Sequence, residues 1–177
     1  MIKYKNLVSG LMTFSILVGT IITPIYAKSQ AESEAVLAAA QQAQSEEMHC
    51  LALNVYYEAR GSNFADKVAV ADVVINRTLD RRYPSSICGV VQDGYVPGKR
   101  VCQFSWYCDG KSDTPVDQDK WMEAQSIAFS MINFGDYRGI TEGATHYHAT
   151  YVDPFWASSL QMVGRIGAHI YYRWEQK

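Results

Sequence analysis

The chain has no positive charge to spare. Its 16 lysines and arginines face 18 aspartates and glutamates, a formal net charge of −2, with a pI near 6.1. A surface that holds a run of phosphates needs clustered cations, so nucleic acid binding has no electrostatic support. Reactive-site signatures are scarce as well. There is no GxSxG around a nucleophilic serine, no HExxH and no CxxC pair, and no internal repeat. At 177 residues the chain suits one domain with a real core, and hence one site. What it does have is rings: 12% of the residues are aromatic, including 12 Tyr and 4 Trp. Such rings line sugar or peptide grooves as well as filling cores.

The N-terminus reads as an address. MIKYK carries two lysines, LVSGLMTFSILVGTIITPI is apolar, and IYA before KSQ offers Ala27 for cleavage. Residues 1–27 are therefore expected to be an export signal or, if uncleaved, a membrane anchor, the chain's one contact with a membrane. Either role places the remainder in the periplasm or outside the cell. The four cysteines, Cys50, Cys88, Cys102 and Cys108, all follow this segment. An even count in an oxidising compartment favours two disulfides, with three connectivities open, over a zinc site.

Residues 28–47, KSQAESEAVLAAAQQAQSEE, form helix readily but carry few large apolar groups, so they read as a tether or solvated helix. The folded domain is expected over 48–177. LALNVYYEAR ends a first helix before Gly61. Ser62 or Asn63 caps a second, FADKVAVADVVINRTLD, with Phe64, Val68, Ala71 and Ile75 as its buried stripe. The stretch ICGVVQDGYVPGKRVCQFSWYCDG, punctuated by Gly and Pro, reads as short strands and loops. DKWMEAQSIAFSMINF is a third helix stopped by Gly135, GATHYHATYVDPFWASSL is loop-like, and IGAHIYYRW has strand composition. The class is α+β.

Three places carry candidate chemistry. Glu58 lies at a helix C-terminus beside Val55, Tyr56 and Tyr57. The dipole and desolvation there both raise a carboxyl pKa, as a general acid requires. The competing reading is a surface ion pair with Arg60 or Arg77. His146 and His148 alternate in HYH and, with His169, make a candidate metal set for an amidase or peptidase with Glu58 as base. The other reading has them lining a groove or buried and satisfied. Finally, CQFSWYCDG, closed by a bridge, either presents Phe104 and Trp106 as a platform or packs them inward.

Taken in order and spacing, LALNVYYEARG, VAVADVVINR, the run from Tyr83 to Cys88, CQFSWYCDG, GATHYHA and IGAHIYYR resemble the cell-wall hydrolase family typified by the catalytic domain of the spore cortex-lytic enzyme SleB. The likeness runs from about Cys50 to Arg173, and its cysteines look like those of the Gram-negative and phage branch. It implies a lysozyme-like α+β fold and lytic transglycosylation of peptidoglycan, with Glu58 as catalytic acid and no cofactor. Gln103, Ser105, Trp106, Tyr147, His148 and Trp156 are expected to hold the glycan, and Arg60 to order the loop after Glu58. The protein is expected to act as a monomer on glycan strands; a noncatalytic wall-binding protein of the same fold is the alternative from another class.

Overall fold

The computed structural model describes residues 12–99 and 101–174, with side chains from residue 26 onward. The expected export segment thus lies outside the described residues up to 11 and outside the described side chains up to 25. Helix α1 runs Met12–Ala59. Along it the chain divides into two compact units, Met1–Gln44 and Ser45–Lys177, so the second opens three residues ahead of the expected boundary at Met48. Side chains from 26 to 44 are exposed. Among the described residues no helix is long and apolar enough to cross a membrane.

The second unit is built around helix α2, Phe64–Thr78. Asn63 caps it, its side chain accepting from the Asp66 N–H at 3.0 Å. From Asp66 to Ile75 every residue of α2 is buried, and so is Arg77. Such all-round burial suits a helix enclosed by neighbours rather than laid on a surface. Val68, Ala71, Val74 and Ile75 join Leu51, Val55 and Tyr56 of α1 in the main core, while Ala69 and Val73 pack with Ala144 and Tyr171 in a second cluster. Phe64, expected in the stripe, is instead exposed, because it occupies the first turn, outside the enclosed span.

Helix α3, Ile87–Val91, replaces the strand expected there. Its cause is capping: the Ser86 hydroxyl accepts from the Gly89 N–H, and Glu47 Oε2 accepts from the Ile87 N–H at 2.5 Å. The disulfide Cys50–Cys88 fastens it to α1, and Cys102–Cys108 closes the small ring. Within that ring Ser105–Cys108 is a 3-10 turn. Helix α4, Gln118–Asn133, starts at an Asp117 cap and buries Ala124, Ile127, Ala128 and Met131. The Tyr56 hydroxyl accepts from the Val116 and Asp117 N–H groups, fixing that start against α1.

Strands β1 (His146–Ala149), β2 (Gln161–Ile166) and β3 (His169–Arg173) form one antiparallel sheet in the order β1-β3-β2. Two buried carboxylates of α2 hold it in place. Asp72 accepts from Arg138 Nε, from the Gly139 and Thr141 N–H groups and from the Thr141 hydroxyl, fixing the loop that leads into β1. Asp66 accepts from the Ala168 N–H and the Tyr171 hydroxyl, and pairs with His169 Nδ1 at 2.9 Å. The β2–β3 turn sits so close that a Cβ on Gly167 would lie 2.6 Å from that of Asp66.

Candidate active site

Glu58 occupies the last turn of α1, half-buried, where unpaired carbonyls present the negative end of the helix. Among the described residues its hydrogen-bond partner is Tyr147, whose hydroxyl donates to Glu58 Oε2 at 3.1 Å. Burial pushes the Glu58 carboxyl above the ordinary range; the Tyr147 bond, then the charges of His169 and Arg77, oppose it without reversing it. Neither arginine forms the surface ion pair considered above. Arg60 is exposed and lies over the Tyr56 and Tyr57 rings, while Arg77 is buried in α2.

Tyr147 reaches Glu58 because strand residues alternate. Its register partner is Tyr171, and its ring meets Tyr171 and His169 at 5.7 and 5.1 Å. These three share the face turned to α2. His146 and His148 take the opposite face. There His148 Nε2 pairs with the Tyr172 hydroxyl at 2.9 Å, and Trp156 packs on both histidines and on Tyr172. The expected grouping of His148 and Trp156 with Tyr147 is therefore divided by the sheet. The same division separates His169 from His146 and His148, so the three imidazoles do not converge on one ion. His169 Nδ1 is in any case engaged by Asp66.

The small ring packs inward rather than forming a platform. Phe104 and Trp106 are both buried. Trp106 Nε1 donates to Asn54 Oδ1 at 3.3 Å, one helical turn before Glu58, and its ring stacks on Tyr57 at 4.7 Å. Gln103, just before Phe104, and Ser105, between the two rings, are exposed. A cavity of about 240 Å3 adjoins this end of α1, between Tyr57, Arg60, Trp106, Asp109, Lys111 and Asp113. Burial, then the charge of Asp109, raises the Asp113 carboxyl.

Asp66 escaped the sequence reading, and Arg77 entered it only as a possible surface partner of Glu58; both are buried. The available signal was their place around an uninterrupted small apolar run, where a charge is enclosed or the helix has a wet face.

Residues 61–172 match the cell wall hydrolase family, more than half of the chain. The chain belongs to the cell wall hydrolases. The matched span opens three residues after Glu58, so the carboxyl itself stands on the geometry above. Among curated members of similar sequence, the spore cortex-lytic enzyme of Halalkalibacterium halodurans is 29% identical over 126 residues. That covers 71% of this cell wall hydrolase but 34% of the relative, so the chain spans about a third of its length. Among solved structures, the catalytic domain of the germination-specific lytic transglycosylase SleB from Bacillus anthracis superposes with a TM-score of 0.55 at 26% identity, covering 72% of this chain and 93% of that one. The catalytic domain of the Bacillus cereus SleB protein gives 0.53 at 26%, with 72% and 91% covered. The mixed helical fold with a small antiparallel sheet is thus that of the SleB catalytic domains.

Proposed function

We propose that this chain cleaves the glycan strands of peptidoglycan by lytic transglycosylation, with Glu58 acting first as acid and then as base. The observation that carries the reading is the half-buried Glu58 carboxyl, raised by burial and held at one oxygen by Tyr147. A carboxyl that holds its proton above the ordinary carboxylate range can give that proton to the glycosidic oxygen as the bond from that oxygen to the anomeric carbon breaks. The resulting carboxylate then takes the proton of the sugar's own C6 hydroxyl as that oxygen bonds to the anomeric carbon. The product is a 1,6-anhydro end, and no water is consumed. One acid is sufficient, whereas hydrolysis with either stereochemistry needs a second carboxylate.

The lytic transglycosylase named among the structural relatives supports this choice of product. A cavity walled by Tyr57 and Trp106 opens at the same end of α1 and offers a recess for part of the strand. Residues 1–27 would deliver the 48–177 domain to the wall, with 28–47 as the tether. The remaining glycan contacts would come from the exposed Gln103 and Ser105, with His148 and Trp156 reached only by a strand that crosses the sheet's far face.

Mass spectrometry of products from purified sacculi tests the reaction. Fragments lighter by one water than the reducing sugar are expected, with full loss of release in Glu58→Gln. Reducing ends, or equal loss in Asp109→Asn, Asp113→Asn or Glu142→Gln, would instead mean a muramidase with two carboxyls.

A further inference from the structure

One wall of the cavity at the end of α1 is aromatic: the Tyr57 and Trp106 rings stack with centroids 4.7 Å apart and planes 18° from parallel. The other lining groups include charges of both signs. Asp109 and Lys111 satisfy each other. Lys111 Nζ pairs with Asp109 Oδ2 at 3.0 Å, and the Lys111 N–H donates to Asp109 Oδ1 at 2.8 Å. Arg60 and Asp113 are different. Among the described residues no carboxylate lies within salt-bridge distance of Arg60, and no cation lies within that distance of Asp113. Arg60 is exposed and holds its guanidinium carbon 5.8 Å from the Tyr57 ring centre. Asp113 is half-buried, and burial, then the charge of Asp109, disfavour its ionised form. An incoming cation would relieve that cost. One cavity is thus lined by a guanidinium and a carboxylate, each unpaired and too far apart to pair with one another. Such a pattern is the counterpart of an ammonium and a carboxylate carried by a single ligand. A sugar hydroxyl is neutral and would leave both charges without a counter-ion. The volume, about 240 Å3, suits a group of amino-acid size, since pockets for drug-sized ligands begin at about 300 Å3.

We propose that this cavity is a binding site for a zwitterionic amino-acid end on the wall polymer: the ammonium and carboxylate that a diamino acid in a peptide stem keeps on one carbon while it is not cross-linked. Asp113 receives the ammonium, Arg60 the carboxylate, and the Tyr57 and Trp106 wall the methylene chain that carries them. This rests on the peptidoglycan reading above and sharpens it. Cross-linking converts the ammonium to a neutral amide and so removes half of the recognised pattern. The site therefore favours glycan whose stems are not cross-linked.

Amide and indole NMR titration of the protein with stem tripeptides tests this without turnover. The probes are a tripeptide ending in diaminopimelate, the same peptide acetylated at its free amine, and one ending in lysine, which lacks the distal carboxylate. With the first, saturable shifts are expected at the Trp106 indole and at the Lys111, Ser112 and Asp113 amides. The other two are expected to bind about tenfold more weakly, as is the first peptide to Asp113→Asn or Arg60→Gln. Equal binding of the three peptides, shifts confined to other residues, or no saturable shift in the parent protein overturns the proposal. So does parent-like affinity in both variants. Free diaminopimelate separates the sources of the zwitterion: if it binds and the tripeptide does not, the ligand is a loose amino acid and the assignment to a stem is overturned. Tripeptide binding without cleavage of sacculi would refute the enzymatic reading and leave this site standing. Cleavage without tripeptide binding would refute this site alone.

Discussion

The Tyr147 hydroxyl donates to Glu58 Oε2 at 3.1 Å across 89 residues of sequence, and the ring behind that hydroxyl is wedged between His169 and Tyr171. A strand thereby holds the acid of a helix. Tyr147→Phe keeps the wedge and removes the donor. Loss of a buried hydrogen-bond partner costs about 1–3 kcal/mol, so glycan release is expected to fall on the order of tenfold. Because that bond lowers the Glu58 pKa, its removal is expected to move the alkaline limb of the activity profile upward. A series of rates on sacculi against pH measures both.

Glu58→Gln is expected to abolish release by about 10²–10⁴-fold, the usual contribution of a general acid. Stability should move the other way. A carboxyl raised in the folded state contributes stability that is fully present below its unfolded pKa and is lost as pH rises through the folded value. Above that value the parent holds an ionised, half-enclosed carboxylate and the Gln variant does not. Melting temperatures at pH 4 and pH 8 are therefore expected to show the variant gaining on the parent at the higher pH.

Asp66 carries the opposite sign. Burial alone would raise its carboxyl, but hydrogen bonds from His169, Ser62, Tyr171 and the Ala168 N–H hold it below the ordinary value. Its stabilisation is present above the unfolded pKa and is lost as pH falls through the folded one. Asp66→Asn is expected to cost about 3 kcal/mol at neutral pH, the range for breaking a buried pair, and to flatten the acid limb of unfolding. Gly167→Ala probes the same junction sterically, since the turn has φ 57° and its Cβ would meet Asp66. Denaturant melts of the two variants should show losses of similar size.

The bridges differ in the chain they close. Cys50–Cys88 spans 38 residues and Cys102–Cys108 spans 6. Loop entropy then assigns about 4 kcal/mol to the first and about 2 kcal/mol to the second. Paired Cys→Ala variants of each bridge, compared by denaturant midpoint, check the ranking.

Much of this was readable in advance, and most of the exceptions turn on partners distant in sequence. Helices α2 and α4 follow from their apolar spacing, from Asn63 at the start of the first and from Gly135 after the second; the Asp117 cap of α4 came only with the structure. Helix α3 did not, because half its cap is the Glu47 carboxylate, 40 residues away from Ile87. Strand β2 was hidden by Gly164 and by a shift in its register between Met162 and Gly164. At the site, helix-end logic raised Glu58 as a candidate but left the surface ion pair open, and the family resemblance chose between them. That Tyr147 faces it was implicit in HYH: a residue between two outward histidines must point the other way. Whether Phe104 and Trp106 point in or out is decided by Arg77, Asn54 and Tyr57, which no local pattern discloses.

Helix α2 touches almost everything that supports the acid: Arg77 through the Thr145 carbonyl, Asp66 through His169 and Tyr171, Asp72 through the approach to β1. No portion of that scaffold can loosen alone while this rod stays enclosed. The amide protons of α2 and of Tyr147 should therefore exchange with deuterium only as fast as the whole domain unfolds. Any adjustment to a bound ligand would then come from outside this enclosed scaffold, leaving the mounting of Glu58 rigid.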